Sequence, residues 1–279
     1  MDRDIDLHVH TTASDGTVSP AGVVKLAYES GLTAIAVTDH DTVAGYEEAR
    51  RAGRELGVEI VPGIEISTRW NGAIHILGYY IDVNDPELTA LLKWMIDVRN
   101  ERNRKIVQLM AEDGIPITYE YMENRFGTAI GRPHFAEILV DLGFAKDIYD
   151  AFDHFVERGQ RYYLPKQFVT IEDTIKAIRS AGGIPVLAHP FQYKKDDATL
   201  RQLIEYAMSL GLMGIECRYS GYTDEQQKYL SELADEYGLL KTGGSDFHGS
   251  HKARIALGSG IGGTLCVPYE YLEGLKAAL

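Results

Sequence analysis

The chain has 279 residues, 45% of them hydrophobic, enough for one large α/β barrel-type domain or two ordinary ones. Aspartate and glutamate outnumber lysine and arginine by 41 to 28, and the formal charge of −13 argues against a broad electrostatic footprint on duplex DNA or RNA. An anionic substrate must therefore be met locally, as bound divalent cations would do. The charged start Met1-Asp2-Arg3-Asp4, with no apolar signal region and no apolar run long enough to span a bilayer, leads us to expect a cytoplasmic protein without membrane association. Cys217 and Cys266, without CxxC spacing, read as small buried residues in a reducing compartment.

Alternation over Ile5–His10 predicts a first strand with the imidazoles of His8 and His10 on one face, which is how a chain begins a metal site. Ser19-Pro20 reads as a helix cap followed by proline in the first turn, with Gly31 ending that helix. The apolar run Thr33–Val37 predicts a strand buried on both faces, leading into Thr38-Asp39-His40-Asp41. A helix over about Val43–Leu56 stops at Gly57, and a third strand from Glu59 to Ile66 carries Glu65 near its end. Asn71-Gly72 is a two-residue hairpin signal, so Ala73–Tyr79, with His75, is expected to return antiparallel.

From Pro86 to about Pro165 the pattern becomes helix after helix. Apolar positions from Leu88 to Met110 keep a helical period, and further helices are expected over Arg132–Leu142 and Ile148–Glu157. Residues 88–165 read as a helical insertion or cap on a barrel formed by about 1–87 and 166–279. The insertion's Arg99, Arg102, Arg104 and Lys105 read as a solvated helix face. Strand and helix alternate again through Ile184–His189, Met213–Cys217 and Leu239–Gly244, which leads into Ser245-Asp246-Phe247-His248; a last helix starts at Pro268. About seven strands result, nearly every one ending in His, Asp or Glu, and in a β/α barrel such ends meet on one rim.

The candidate ligands are His8, His10, Asp15, His40, Glu65, His75, His134, His189, Asp246 and His248, which include seven of the nine histidines. Any one alone reads as a satisfied core or surface residue rather than a ligand; the repeated strand-end placement is what points to metal. His154 and His251 read as surface residues. Imidazole and carboxylate donors without thiolate suit Zn, Mn or Fe. At roughly three or four ligands per ion, the set would serve two or three divalent ions, an arrangement that clamps both oxygens of a phosphoryl displacement.

Together, Asp6-Leu7-His8-Val9-His10-Thr11, Thr38-Asp39-His40-Asp41, Glu65-Ile66-Ser67, His75, Ala188-His189-Pro190 and Ser245-Asp246-Phe247-His248 resemble the ordered motifs of the PHP (polymerase and histidinol phosphatase) phosphoesterases, over nearly the whole chain. The resemblance implies a distorted seven-stranded β/α (TIM-like) PHP barrel. The insertion with Gly131-Arg132-Pro133-His134 is similar to the branch that contains nucleoside 3′,5′-bisphosphate phosphatases and a 5′-to-3′ exoribonuclease, ribonuclease AM. Carried over by position, the resemblance implies one ion on His8, His10, Glu65 and Asp246, a second on Glu65, His75 and His134, and a third on Asp15, His40 and His248, with Glu65 bridging.

It further implies a hydrolase that releases phosphate from an AMP-like nucleotide or a nucleoside 3′,5′-bisphosphate through metal-activated hydroxide, with Asp246 at the catalytic centre. His189 would bind phosphate or protonate the leaving oxygen, and Arg132 would grip phosphate. The rivals are a 5′-to-3′ exonuclease on short RNA or DNA ends, a histidinol-phosphate-type phosphatase, an amidohydrolase and a non-catalytic PHP module. Thr38-Asp39-His40-Asp41 and a bridging Glu65 speak against the amidohydrolase, which usually bridges its metals with a carboxylated lysine; the full ligand set speaks against the non-catalytic module. No obligate protein partner is expected.

Overall fold

A computed structural model describes residues 5–127 and 130–279, so the charged start Met1–Asp4 lies outside the described residues. The chain divides into two compact units, Met1–Leu92 with Phe168–Leu279, and Lys93–Gln167. No helix among the described residues is long and apolar enough to cross a membrane.

In the first unit β1 (Ile5–Val9), β2 (Ala34–Val37) and β3 (Glu59–Arg69) pair in parallel. Asn71, in the left-handed region at φ 45, and Gly72 turn the chain into β4 (Ala73–Tyr79), which runs antiparallel to β3. The two-residue β5 (Val169–Thr170), which periodicity does not show, pairs with the far end of β3. β6 (Ile184–Leu187) lies antiparallel to β4, and β7 (Gly214–Tyr219) and β8 (Leu240–Gly244) continue in parallel. Beyond β8 the chain returns to β1, where Asp246 N–H donates to His8 O at 2.8 Å and His10 N–H to Phe247 O at 2.9 Å. The sheet is thus a nearly closed seven-stranded barrel of the expected β/α type.

Helices α1 (Pro20–Glu29) and α2 (Tyr46–Leu56) cover one face of this sheet. α2 begins three residues later than its periodicity suggests, because Thr42 Oγ1 accepts from Ala44 N–H in a preceding turn. The second unit takes in most of α3 (Pro86–Glu112), then α4 (Tyr119–Phe126), α5 (Arg132–Asp141) and α6 (Ile148–Ala151) around its own apolar core, including Met110, Met122, Phe135 and Leu139. The helix expected over Ile148–Glu157 is regular only to Ala151; Glu157 N–H then bonds Phe152 O, five residues back. α7 (Ile171–Ser180), α8 (Asp197–Ser209), α9 (Asp224–Tyr237) and α10 (Tyr269–Ala277) complete the first unit. Cys217 is buried, but Cys266 is exposed. It sits between Leu265 and Val267, which take the inward positions of an extended stretch.

A change of phase in β1 aims the first two histidines. Ile5 and Leu7 pack with Ala34, Ala36, Val186 and the α10 residues Leu272 and Leu275, whereas Val9 packs on the opposite face with Val23 and Val24 of α1. The switch coincides with a register shift in the β1–β2 pairing between Asp6 and Val9, the kind of bulge that re-aims side chains. With Val9 on the helix side, His8 and His10 turn inward at the rim. At the closing seam Gly244 leaves no room for a side chain, since a Cβ there would lie 2.3 Å from His8 N and 2.4 Å from His8 Cβ. Gly244→Ala is expected to destabilise the protein by about 3 kcal/mol through overpacking against fixed backbone. Thermal denaturation followed by circular dichroism measures it, and an unchanged midpoint would contradict this view of the seam.

Candidate metal centre

Because β4 runs opposite to its neighbours, its start shares a rim with the ends of the parallel strands, and Ser67 of β3 stands opposite His75. His8 and His10 come from β1, His40 follows β2 and bridges to Glu65 of β3, His189 follows β6, and Asp246 and His248 follow β8. Glu65 is the meeting point. Its Oε2 lies 3.2 Å from both His8 Nε2 and His10 Nε2 and 3.1 Å from His40 Nδ1. Its Oε1 lies 2.8 Å from His75 Nδ1 and 2.9 Å from His189 Nε2. Asp246 Oδ1 adds a second carboxylate, 3.2 Å from His10 Nε2 and 3.6 Å from His8 Nε2.

Among the described residues, ligand atoms within 4.8 Å of one another form three groups: His8, His10, Glu65 and Asp246; His10, Asp15, His40 and His248; and His40, Glu65 and His75. His8, His10 and Glu65 are fully buried, while Asp15 is 56% exposed and His40 and His75 are 22% and 28% exposed, so the cluster opens to solvent on their side. His8 Nε2, both ring nitrogens of His10, His40 Nδ1 and Glu65 Oε2 are buried without a hydrogen bond. Buried lone pairs left so are costly unless something shares them, and this nitrogen and oxygen set, free of thiolate, fits divalent cations.

A further layer holds these groups in place, and the motifs do not reveal it. Glu216, inside β7, places Oε1 2.9 Å from His8 Nδ1 and accepts the His189 N–H on Oε2 at 2.7 Å. Asp6 accepts from the N–H groups of His8, Ser245 and Gly258, joining both sides of the seam. Asp39 accepts from Thr11 N–H, Thr11 Oγ1 and Ser14 Oγ, which fixes the loop after His10. The hydroxyl of half-buried Tyr193 accepts from His75 N–H at 2.9 Å and donates to Ala188 O at 2.7 Å. Tyr219, an aromatic at a strand end, uses its hydroxyl on Asp246 Oδ2 rather than presenting a free stacking face. The signal for Glu216 is a lone carboxylate in the apolar strand Gly214–Tyr219.

All three ligand groups are drawn from the first unit. His134 belongs to the second, at the start of α5, where its Nδ1 accepts from Gly131 N–H at 3.0 Å and its ring stacks on Phe126. Arg132, in the same turn, pairs with Glu157 at 2.9 Å. His154 is exposed and pairs with Asp150; exposed His251 has its Nδ1 2.7 Å from Asp15 O.

The electrostatics around His8 and His10 favour proton or cation uptake. Burial opposes charge on His8 and His10, yet Glu216, Glu65 and Asp246 hold His8 well above the usual histidine range, and Asp246 and Glu65 lift His10 to about 9. Burial pushes His40 down to about 3 against the pull of Glu65, with His10 and His75 adding to the fall. Burial would raise Glu65 and Asp246, but the surrounding imidazoles keep both carboxyls well below their ordinary range. Protons and divalent cations therefore compete for one set of lone pairs.

Comparison with known proteins extends this picture over the chain. It is 36% identical over 249 residues to a 5′-3′ exoribonuclease of Haemophilus influenzae, covering 89% of this chain and 91% of that protein. It is 33% identical over 249 residues to a 3′,5′-nucleoside bisphosphate phosphatase of Chromobacterium violaceum, covering 88% and 87%. Two solved structures align over nearly their full lengths. One, from Bifidobacterium adolescentis and described as a metal-dependent phosphoesterase, gives a TM-score of 0.80 at 30% identity, covering 99% of this chain and 96% of that one. The other, a C. violaceum protein with bound sulfate described as an amidohydrolase, gives 0.79 at 31% identity, covering 98% and 96%. The PHP domain model matches residues 6–239, the span from Asp6 at the seam through β7 and α9, and the chain belongs to the PHP domain family.

Proposed function

We propose that the rim cluster binds two or three divalent cations, Mn, Fe or Zn, and that the protein uses them to hydrolyse phosphoesters of small nucleotides, such as a nucleoside monophosphate or 3′,5′-bisphosphate. The observation that carries this reading is the convergence of five imidazoles on the two oxygens of Glu65, with buried lone pairs of His8, His10, His40 and Glu65 itself unsatisfied. His8, His10, Glu65 and Asp246 would hold one ion, and Asp15, His40 and His248 another. For the ion on the Oε1 side of Glu65 the geometry supports His75 with His189, whose Nε2 approaches the same oxygen. His189 is thus better suited to ligation than to protonating a leaving group. His134 as ligand and Arg132 as phosphate contact rest on family resemblance alone.

Bound divalent cations would acidify water at neutral pH and neutralise charge on phosphoryl oxygens. The chain's own part is positional. Glu216 fixes the orientation of His8, Tyr193 pins the backbones of His75 and Ala188 together, and Asp15, His40 and His75 mark the solvent-facing side by which a phosphate enters.

The activities named for the relatives supply the nucleotide. A 5′ exonuclease on short RNA or DNA is the second reading, favoured by the 36% identity to the exoribonuclease; the net charge of −13 weighs against long polyanions. The test is release of inorganic phosphate from AMP, a 3′,5′-bisphosphate, histidinol phosphate and a 5′-phosphorylated oligonucleotide by manganese-loaded protein. Phosphate is expected from the mononucleotides, nucleoside monophosphates from the oligonucleotide would favour the exonuclease, and inactivity on all four would contradict the reading. Asp246→Asn is expected to lower turnover by about a hundredfold or more together with bound metal; a variant that keeps both would remove Asp246 from the centre. Glu216→Gln is expected to weaken metal binding about 10–100-fold by loosening His8, as metal titration would show, and unchanged affinity would reduce Glu216 to a packing residue.

A further inference from the structure

A phosphate held by metal cations can also take a hydrogen bond from a charged donor of the chain itself, and one side chain against the ligand groups is such a donor. Among the described residues, Lys252 is the one lysine or arginine ion-paired with a member of the three ligand groups, its Nζ 2.6 Å from Asp246 Oδ2. Asp246 uses its oxygens differently. Oδ1 faces His10, His8 and His248 at 3.2, 3.6 and 3.4 Å, whereas Oδ2 accepts from both the Tyr219 hydroxyl and the Lys252 ammonium at 2.6 Å. Tyr219 is buried; the Lys252 side chain is 39% exposed against 5% for Asp246. The ammonium therefore caps the carboxylate on its solvent side, and of its three N–H donors Asp246 takes one.

The turn that presents Lys252 is stitched to the loop that carries Asp15. Thr17 N–H donates to His248 O at 3.1 Å, Ser250 N–H donates to Thr17 Oγ1 at 2.8 Å, and His251 Nδ1 lies 2.7 Å from Asp15 O. Gly249 enters this turn at φ 65, where a Cβ would lie 2.2 Å from Thr17 Oγ1. The turn that carries Lys252 is thus tied, through His251, to the loop of Asp15, the most exposed ligand-group residue.

We propose that Lys252 is a substrate-phosphate contact: while Tyr219 keeps Oδ2 of Asp246 satisfied, the ammonium donates a hydrogen bond to a non-bridging oxygen of the phosphate to be hydrolysed. This rests on the phosphoesterase reading above. A lysine that served only as counter-ion to Asp246 would behave differently, since its loss would loosen Asp246 in the way that loss of the Tyr219 hydroxyl does.

The two are separated by preparing wild type, Lys252→Met and Tyr219→Phe with manganese, then measuring metal content by mass spectrometry, inorganic phosphate binding by calorimetry and KM for AMP. Lys252→Met is expected to keep wild-type manganese while its Kd for phosphate and its KM both rise about tenfold, the worth of one charge-assisted hydrogen bond, and Lys252→Arg is expected to recover part of the loss. Lys252→Gln carries the same expectation should the methionine variant not fold. Unchanged phosphate affinity in metal-replete Lys252→Met, or manganese loss matching Tyr219→Phe, would overturn the proposal. A wild type that neither binds phosphate nor releases it from AMP would instead remove the phosphoesterase reading, and the proposal with it.

Discussion

A carboxylate buried beneath a barrel rim costs several kcal/mol unless its charge is matched, and the fold is arranged around matching that of Glu65. β3 is 11 residues long where β2 and β6 have four, so it carries Glu65 up to the level at which the other strands end. The seven-residue β4 must then come back beside it, and this return brings His75 to Oε1 from the side opposite His8 and His10. β6, paired with β4, ends where His189 can reach the same oxygen. One antiparallel strand in an otherwise parallel order is what surrounds a single carboxylate with imidazoles.

The surroundings of the cluster carry strain consistent with that arrangement. Asp41, His189 and Asp246 take left-handed backbone at φ 55, 24 and 58, each at a cost of about 1–3 kcal/mol where the side chain is not glycine. Each is held by bonds to neighbouring strands: Asp41 Oδ1 accepts from Ser67 N–H, His189 N–H is held by Glu216, and Asp246 N–H by His8 O. Buried carboxylates at Asp6, Asp39 and Glu216 spend their lone pairs on backbone N–H, hydroxyl and imidazole groups, whereas Glu65 and Asp246 Oδ1, with the more exposed Asp15, face the imidazoles of the cluster.

What was legible in the sequence was local. A His-x-His pair in a strand, an Asn-Gly turn that sets the direction of β4, and polar residues at the ends of apolar runs are short-range signals, and they suffice for the barrel and for bringing most candidate ligands to one rim. What was not legible depends on partners far away in the chain. Glu216 lies 208 positions from His8, and although it is the lone carboxylate of its strand, nothing local names the imidazole it faces. Lys252 stands in Gly249-Ser250-His251-Lys252, a stretch that reads as surface until the closing seam brings it over Asp246. The association of His189 with His75 through one oxygen of Glu65 likewise needs the β4–β6 pairing, which only tertiary structure supplies. Cys266 is exposed, against its expected burial, because apolar composition alone cannot say which residue of an alternating stretch faces outward.

The proposed chemistry turns on Glu65 being shared between cations. Anomalous scattering from crystals of manganese-loaded protein addresses it most directly. At least two manganese peaks are expected to flank Glu65, one at each carboxylate oxygen, with His8, His10 and Asp246 around the first and His75 and His189 around the second. A single peak that leaves one oxygen of Glu65 bonded only to histidines, or peaks away from Glu65 altogether, would contradict it.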